Sequence, residues 1–396
     1  MIVPATDTPS TLDRVVARVE ATVGPQDEVI VIRSGRGPAA ARNAGAQIAK
    51  SQILVFLDSD VEVHPDALDR IRHAFLADPT LTAVFGSYDD RPPLDGTVSR
   101  FRNLLHHHVH QQAAGEATTF WAGLGAVRKD AFLAAGGFDV DSYPTSMMED
   151  IELGMRLSAA GARIVLDPDL RATHLKSWGL VSMVHTDLTR RGMPWVRMLL
   201  HRRELSSAMN LGWRHRLSAL GFGAVVLAAI TGRPRAGAAL LGSVVVLNRD
   251  FYALLVRRGG LRLGVAGVGL HLIHHATAAA AVPAGIAAHA LHTVRDRAVA
   301  AQALEVSPPA MPQQARVNGS RSEGSSKLSG STTIARWSWS TTGAGSRYTS
   351  RASARRSASS ASPTPARPPP ATVASRRLAA AGSRSPTTTA GRPLTG

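Results

Sequence analysis

Along the first ninety residues, apolar and polar positions alternate in blocks that predict strand, helix, strand. A short apolar start, Ile2 and Val3, precedes Pro4 and Asp7, and Leu12, Val15, Val16 and Val19 then recur at helical spacing over 11–23. EVIVI at 28–32 reads as a buried strand, and a helix over 39–50 comes after the turn Arg33, Ser34, Gly35. The block ILVFLDSDV at 53–61 is next: five apolar residues with the signature of a strand buried on both faces, then Asp58 and Asp60. A helix over 66–76, with Leu68, Ile71 and Phe75 on one face, and a strand over 81–86 complete the series. This succession predicts an α/β domain with a three-layer, mostly parallel sheet.

In such sheets ligands bind outside the carboxyl ends of the strands, which places Asp58 and Asp60 at the working edge. Two hard oxygen ligands there suit a divalent cation that in turn holds phosphates. The plainer alternative is that Asp60 or Ser59 caps the next helix. Beyond residue 88 the chain is polar, with His106, His107, His108 and His110; that cluster reads as a solvated helix or loop near a cleft rather than as a metal site. A helix over 146–161 carries Glu149 and Asp150 in its first turn, where the helix dipole favours carboxylates, and a short strand over 163–166 succeeds it.

Composition changes the picture mainly at the C-terminus. The runs 217–231 and 236–247 are uncharged, and 263–291 is a longer Ala- and Gly-rich run broken only by histidines and Pro283. A spanning helix needs about 20 apolar residues, so the third run is long enough, while the first two read as one broken span or a re-entrant pair. Flanking Arg202, Arg203, Arg214, Arg216, Arg257 and Arg258 suit a border with anionic headgroups. The expected organisation is a catalytic domain over 1–205, membrane-associated helices over 206–300 and a disordered basic tail over 301–396. From 311 onward the tail holds 13 Arg and Lys against Glu323 alone, so most of the net charge of +16 lies there and not on a folded basic face. This argues against nucleic-acid binding. The tail's composition equally fits GC-rich coding sequence read out of frame, and no chemistry is assigned to it. Absence of cysteine excludes disulfides and thiolate metal sites. The N-terminus has no secretory-signal pattern, which places the catalytic domain on the cytoplasmic side of a cell membrane.

Taken in order, GPAAARNAGA (37–46), FLDSDV (56–61), GGFD (136–139), MEDIELGMRL (148–157) and ATHLKSW (172–178) resemble a family 2 glycosyltransferase of the GT-A fold, and the C-terminal third is similar to the membrane-attached members. The resemblance implies inverting transfer from a nucleotide-diphosphate sugar with Mn²⁺ or Mg²⁺. It implies Asp60 as metal ligand, Asp58 at the ribose or at the metal through water, and His174 completing the metal site. Asp150 matches the catalytic base, with Glu149 shaping the acceptor side. Pro4, Asp7, Arg42 and Asn43 match nucleotide or diphosphate contacts, and Trp121 and Gly123 the segment under donor sugar and acceptor. Two departures stand out. Arg33-Ser34-Gly35 replaces the family's Asp-Asp-Gly-Ser turn, which leaves the nucleotide open. Arg190 to Trp195 only echoes the Gln-x-x-Arg-Trp motif of polymer-making members, so single-sugar transfer is expected. The expected acceptor is a lipid or cell-envelope molecule; a narrower option is a peptide-derived or small redox-cofactor precursor. The competing reading is a non-catalytic nucleotide-sugar-binding or membrane scaffold on the same fold.

Overall fold

The central strand β3 (Ile53–Leu57) is apolar throughout because both faces of the sheet are covered: Val55 and Leu57 join the core on one side, Leu54 and Phe56 that on the other. The computed structural model describes residues 1–5, 10–93, 95–145, 147–202, 213–306 and 372–375. Upstream of β3 lie β1 (Ile2–Pro4), α1 (Leu12–Glu20), β2 (Ile30–Arg33) and α2 (Gly37–Ile48); downstream come β4 (Val61–Val63), α3 (Ala67–Ala77) and β5 (Leu81–Tyr88). Next are α4 (Thr97–Gln112), β6 (Gly115–Ala117), β7 (Leu124–Arg128), α5 (Lys129–Ala134), α6 (Glu149–Ala159) and β8 (Arg163–His174). Helices α1 and α3 cover one face of the sheet with Val15, Val19, Leu68 and Ile71; α2, α5 and α6 cover the other with Ala46, Phe132 and Leu153. Phe56 anchors that second core, with ring centroids of Phe132 and Phe138 at 5.3 and 5.2 Å.

The strand order is β4, β8, β5, β7, β3, β1, β2, β9, with β6 added on β8; β9 is Thr372–Ser375, an edge strand antiparallel to β2. The sheet is mixed. Pairs β1–β2, β1–β3 and β5–β8 are parallel, but β7 runs antiparallel between β3 and β5. A parallel neighbour would need a crossover returning the chain to the amino-terminal edge. Here residues 118–123 deliver the chain to the carboxyl edge, so Leu124 pairs with Leu57 and β7 descends from there.

Helix α4 differs from the solvated segment expected of it. Phe101, Leu104, His107 and His110 are buried. The β5–β8 ladder breaks between Phe85 and Ser87. Beside the break, His107 Nδ1 and His110 Nδ1 lie 2.8 and 2.9 Å from the carbonyls of Tyr88 and Gly86 as their hydrogen-bond donors. Backbone groups freed by a broken ladder need such partners, and histidine supplies them.

The C-terminal helices are α7 (Leu180–His185), a π-helix (Thr186–Gly192), α8 (Met193–Arg202), α9 (Trp213–Ile230), α10 (Pro234–Leu247) and α11 (Arg249–Val306). Helices α9 and α10 form an antiparallel hairpin: Asn248 Nδ2 donates to Ser218 Oγ at 2.8 Å, and a Cβ on Gly221 would stand 2.5 Å from Val244. Length and composition alone would let Arg249–Thr293 cross a membrane. That stretch is not straight, however. Gly260 has φ 72° and ψ 179°, and the chain folds back there. Tyr252 Oη lies 2.9 Å from His271 Nδ1, whereas 19 residues of straight helix would separate them by about 28 Å. The second limb packs on the α/β domain: a Cβ on Gly192 would meet Ala281 at 2.4 Å, and one on Gly285 would meet Val196 at 2.7 Å. Its histidines His271, His274 and His275 are buried, while Leu261, Val265 and Leu291 face outward. Residues 298–367 form a second unit, described only over 298–306. Apart from the end of α11 and β9, the tail expected over 301–396 lies outside the described residues.

Candidate functional site

The carboxylates of Asp58, Asp60, Glu149 and Asp150 meet at one cavity of about 470 Å³, at the carboxyl edge of the sheet. The first two reach it because β3 stops at Leu57: Asp58 N–H donates to Gly123 O at 3.2 Å, and Val61 N–H closes a turn on Asp58 O at 3.1 Å. The next element is strand β4 rather than a helix, so the capping alternative for Asp60 and Ser59 falls away. β4 pairs with β8 so that Val61 faces His174, and Leu175 N–H donates to Asp60 O at 2.8 Å. This register sets His174 Nε2 3.8 Å from Asp60 Oδ2.

Glu149 and Asp150 open α6. Asp150 Oδ2 accepts from Ala122 N–H at 3.1 Å and Oδ1 from Ile151 N–H at 2.8 Å, which fixes the carboxylate plane. Burial, reinforced by the neighbouring Glu149 charge, pushes Asp150 up to about 7, against the pull of Arg42 and the two N–H groups. Burial also raises Asp58, helped by the Asp60 charge and opposed by Arg42. Asp60 goes the other way: burial would raise it, but the hydrogen bond and charge of His174, together with Lys176, hold it below the usual carboxylate range. Acids whose environments separate their proton affinities are the raw material of acid–base chemistry.

The donor set fits a divalent cation in part. Among the described residues no three His, Asp or Glu side chains group as a metal site. Asp60 and His174 form a two-ligand edge with room for phosphate and water oxygens. Asn103 Oδ1 lies 3.2 Å from His174 Nδ1, so a neutral ring that donates there would turn its Nε2 lone pair to a cation bound on the Asp60 side. The ring is held by stacking on Tyr88, centroid to centroid 4.3 Å at 8°.

Residues expected at the nucleotide also carry structural contacts, and Arg42 lines the cavity as well. Arg42 is buried and bridges two acids, Nη2 to Asp58 Oδ1 at 2.6 Å and Nη1 to Glu149 Oε1 at 2.8 Å. Glu149 is buried in turn, its other oxygen accepting from Met147 N–H at 2.8 Å, so both carboxylate oxygens are engaged where it borders the cavity. Asn43 clamps the Gly136-Gly137 turn, donating to Phe138 O at 2.8 Å and accepting from Phe138 N–H at 2.9 Å. Pro4 is buried at the end of β1, away from the cavity, and Asp7 lies outside the described residues. Trp121 lines the cavity, while Gly123 lets the indole fold back, since a Cβ there would stand 2.3 Å from the ring.

Sequence reading missed the far wall. Arg102 makes a bidentate ion pair with Asp187, whose Oδ2 also lies 2.9 Å from His274 Nδ1. These three residues join α4, the π-helix and α11 beside the cleft. Burial opposes ionisation of Asp187, but His274 and Arg102 hold it well below the ordinary carboxylate value. Residues this distant in sequence carry no local signal. A second, larger hollow of about 790 Å³, lined by Ile2, Ile53, Ile71 and Phe75 among others, sits at the amino ends of β1 to β3. It is at the wrong edge of the sheet for this chemistry.

The sequence is similar to those of known glycosyltransferases. Residues 6–134 match the family model for glycosyl transferase family 2. Over 163 residues the chain is 30% identical to the pre-mycofactocin glycosyltransferase of Mycobacterium tuberculosis, in strains CDC 1551 and H37Rv alike. That match covers 38% of this chain and 34% of the relative, so the chain spans about a third of the length of the curated relatives it matches. Among solved structures, the mannosyltransferase PcManGT from Pyrobaculum calidifontis, in complex with GDP-Man and Mn²⁺, is 18% identical with a TM-score of 0.42, over 71% of this chain and 86% of that one. GalNAc-T7 with UDP, GalNAc and Mn²⁺ is 19% identical with a TM-score of 0.29, over 43% and 36%.

Proposed function

We propose, from the match of residues 6–134 to the model for glycosyl transferase family 2, that the chain is an inverting, metal-assisted, membrane-attached glycosyltransferase. Its donor is a nucleotide-diphosphate sugar and its acceptor a hydroxyl on a lipid or cell-envelope molecule. One observation carries the reading: Asp150, poised at about 7, shares a single cavity with the Asp60–His174 edge.

Inversion requires one in-line displacement and one base on the acceptor side. Asp150 takes the proton of the acceptor hydroxyl as that oxygen bonds to the anomeric carbon and the bond to the diphosphate breaks. Ala122 and Ile151 N–H groups hold the carboxylate still while this happens. Asp60 and His174 would hold Mn²⁺ or Mg²⁺, with Asp58 beside them, and the cation would supply positive charge against the departing diphosphate. Arg42 keeps Asp58 and Glu149 from repelling that group, through its two ion pairs. Trp121 floors the sugar position beside Asp150. The glycosyltransferase activity of the mycobacterial relative is consistent with this assignment.

The test is donor hydrolysis by detergent-solubilised full-length protein, with Mn²⁺, against UDP-, GDP- and dTDP-sugars. We expect one nucleotide class to turn over, with loss on EDTA treatment and in Asp60→Asn. The Arg33-Ser34-Gly35 turn is the one feature that favours the scaffold reading. Failure of every donor to bind in the presence of metal would replace the enzyme with that scaffold.

A further inference from the structure

Charge is unevenly balanced along the cleft. At the donor end each acid has a partner or is nearly neutral: Asp58 and Glu149 share Arg42, Asp60 neighbours His174, and Asp150 titrates at about 7. Asp187, on the far wall, is held by Arg102 and His274. The remaining charged groups lining the cavity are Lys176, Arg190 and Arg191, all exposed at its mouth. None of the three makes an ion pair with a carboxylate among the described residues; Lys176 Nζ instead lies 4.7 Å from the centre of the Trp178 ring. Arg191 lines the cavity, and its charge bears on buried Arg102.

The unpartnered groups at this end are mostly donors; His106 Nδ1, buried without a partner, is the one that can either donate or accept. Besides the three cations, the indole N–H groups of Trp178 and Trp195 are buried without a hydrogen-bond partner, and both residues line the cavity. A lining in which donors predominate, three of them cations, favours a ligand group that accepts and carries negative charge. Next to it the wall turns apolar, where α8 meets the second limb of α11: Val196 and Leu199 on one side, Ala278 and Val282 on the other. Val282 is exposed and Leu199 part-exposed, so this corner opens outward instead of closing over.

We propose that this end of the cleft is the acceptor subsite, and that it takes an amphiphile: an anionic phosphate or carboxylate group on Arg190, Arg191 and Lys176, with an aliphatic body in the corner between α8 and α11. This rests on the glycosyl-transfer reading and narrows its acceptor class. It also gives a role to the Arg102–Asp187–His274 ion-pair cluster. Asp187 stands on the π-helix three and four residues before the two arginines, so tying it to α4 and α11 holds the cationic lip over the cleft.

The test uses the full chain in neutral detergent and reads affinity by calorimetry. The probes are octyl phosphate, octyltrimethylammonium, inorganic phosphate, and UDP, GDP and dTDP with Mn²⁺. Octyl phosphate is expected to bind at least about tenfold more tightly than either the cationic amphiphile or inorganic phosphate. Arg190→Gln/Arg191→Gln should weaken octyl phosphate by about tenfold or more while changing nucleoside diphosphate affinity by less than about twofold. Val282→Trp should weaken octyl phosphate and leave inorganic phosphate unchanged. Equal binding of the two amphiphiles overturns the proposal. So does a loss in the arginine variant that falls on the nucleoside diphosphate, which would assign the lip to the donor. Failure of every nucleoside diphosphate to bind the wild type would count against the glycosyltransferase reading, with the octyl phosphate result still judging the subsite.

Discussion

Asp150 sets two opposite pH dependences. As the proposed base it works only when ionised, so turnover is expected to rise as pH increases through about 7 and then level off. Its folded-state value is raised above that of the unfolded chain, so the folded protein holds the extra proton between roughly pH 4 and 7. Stability therefore falls as pH rises through that window. Asp150→Asn should cost about 10³-fold or more in turnover, yet raise the melting temperature relative to wild type more at pH 8 than at pH 5. Equal shifts at the two pH values would mean that the carboxylate is not strained. Arg42 makes the complementary case. Arg42→Ala leaves Asp58 and Glu149 facing each other without their shared cation, and should destabilise the fold by about 3–5 kcal/mol in denaturant titration. The acids themselves were legible in the sequence because FLDSDV and MEDIE announce them. The role of Arg42 was not: a motif records that an arginine is there, but not that its guanidinium turns inward to two acids 16 and 107 residues away.

Elements follow the hydrophobic pattern closely where a strand or helix meets the core on its own account. The strand 53–57 is where its five apolar residues put it, and α3 lies within a residue of its expected bounds. Pattern reading fails where a partner decides. β7 is antiparallel because of where the loop before it arrives, and α4 is buried although it reads as polar, because its histidines satisfy carbonyls beside a broken ladder. The fold-back in α11 escapes for a different reason. Gly260 lies just before the apolar run 263–291, and the glycines of Arg257-Arg258-Gly259-Gly260 give only a weak local signal that the chain reverses there. Gly260 has a backbone conformation reached essentially by glycine alone, so Gly260→Ala is expected to cost about 1–3 kcal/mol. Strain there should loosen the Tyr252–His271 contact first, and faster amide exchange in 249–259 than in β3 would report it.

The described residues combine the carboxylate-lined cleft with an outward apolar surface on α9 and α11, where Leu220, Leu227, Ile230, Leu261 and Leu291 are exposed. Arginines at 214, 233, 235 and 249 stand at the ends of the α9–α10 hairpin. Full-length protein should thus float with neutral phosphatidylcholine vesicles even at about 1 M salt, where screening confines charge effects to about 3 Å. Anionic lipid should add a salt-sensitive component. Release from neutral vesicles would remove the membrane from the proposed function. The second limb of α11 faces both ways: its outer side carries that apolar surface, and its inner side supplies His274, Ala278 and Val282 to the cleft. A familiar laboratory shortcut, trimming the greasy C-terminus to obtain a well-behaved catalytic fragment, would therefore leave an open half-site here, with Asp187 deprived of His274 and Gly192 and Val196 stripped of their cover.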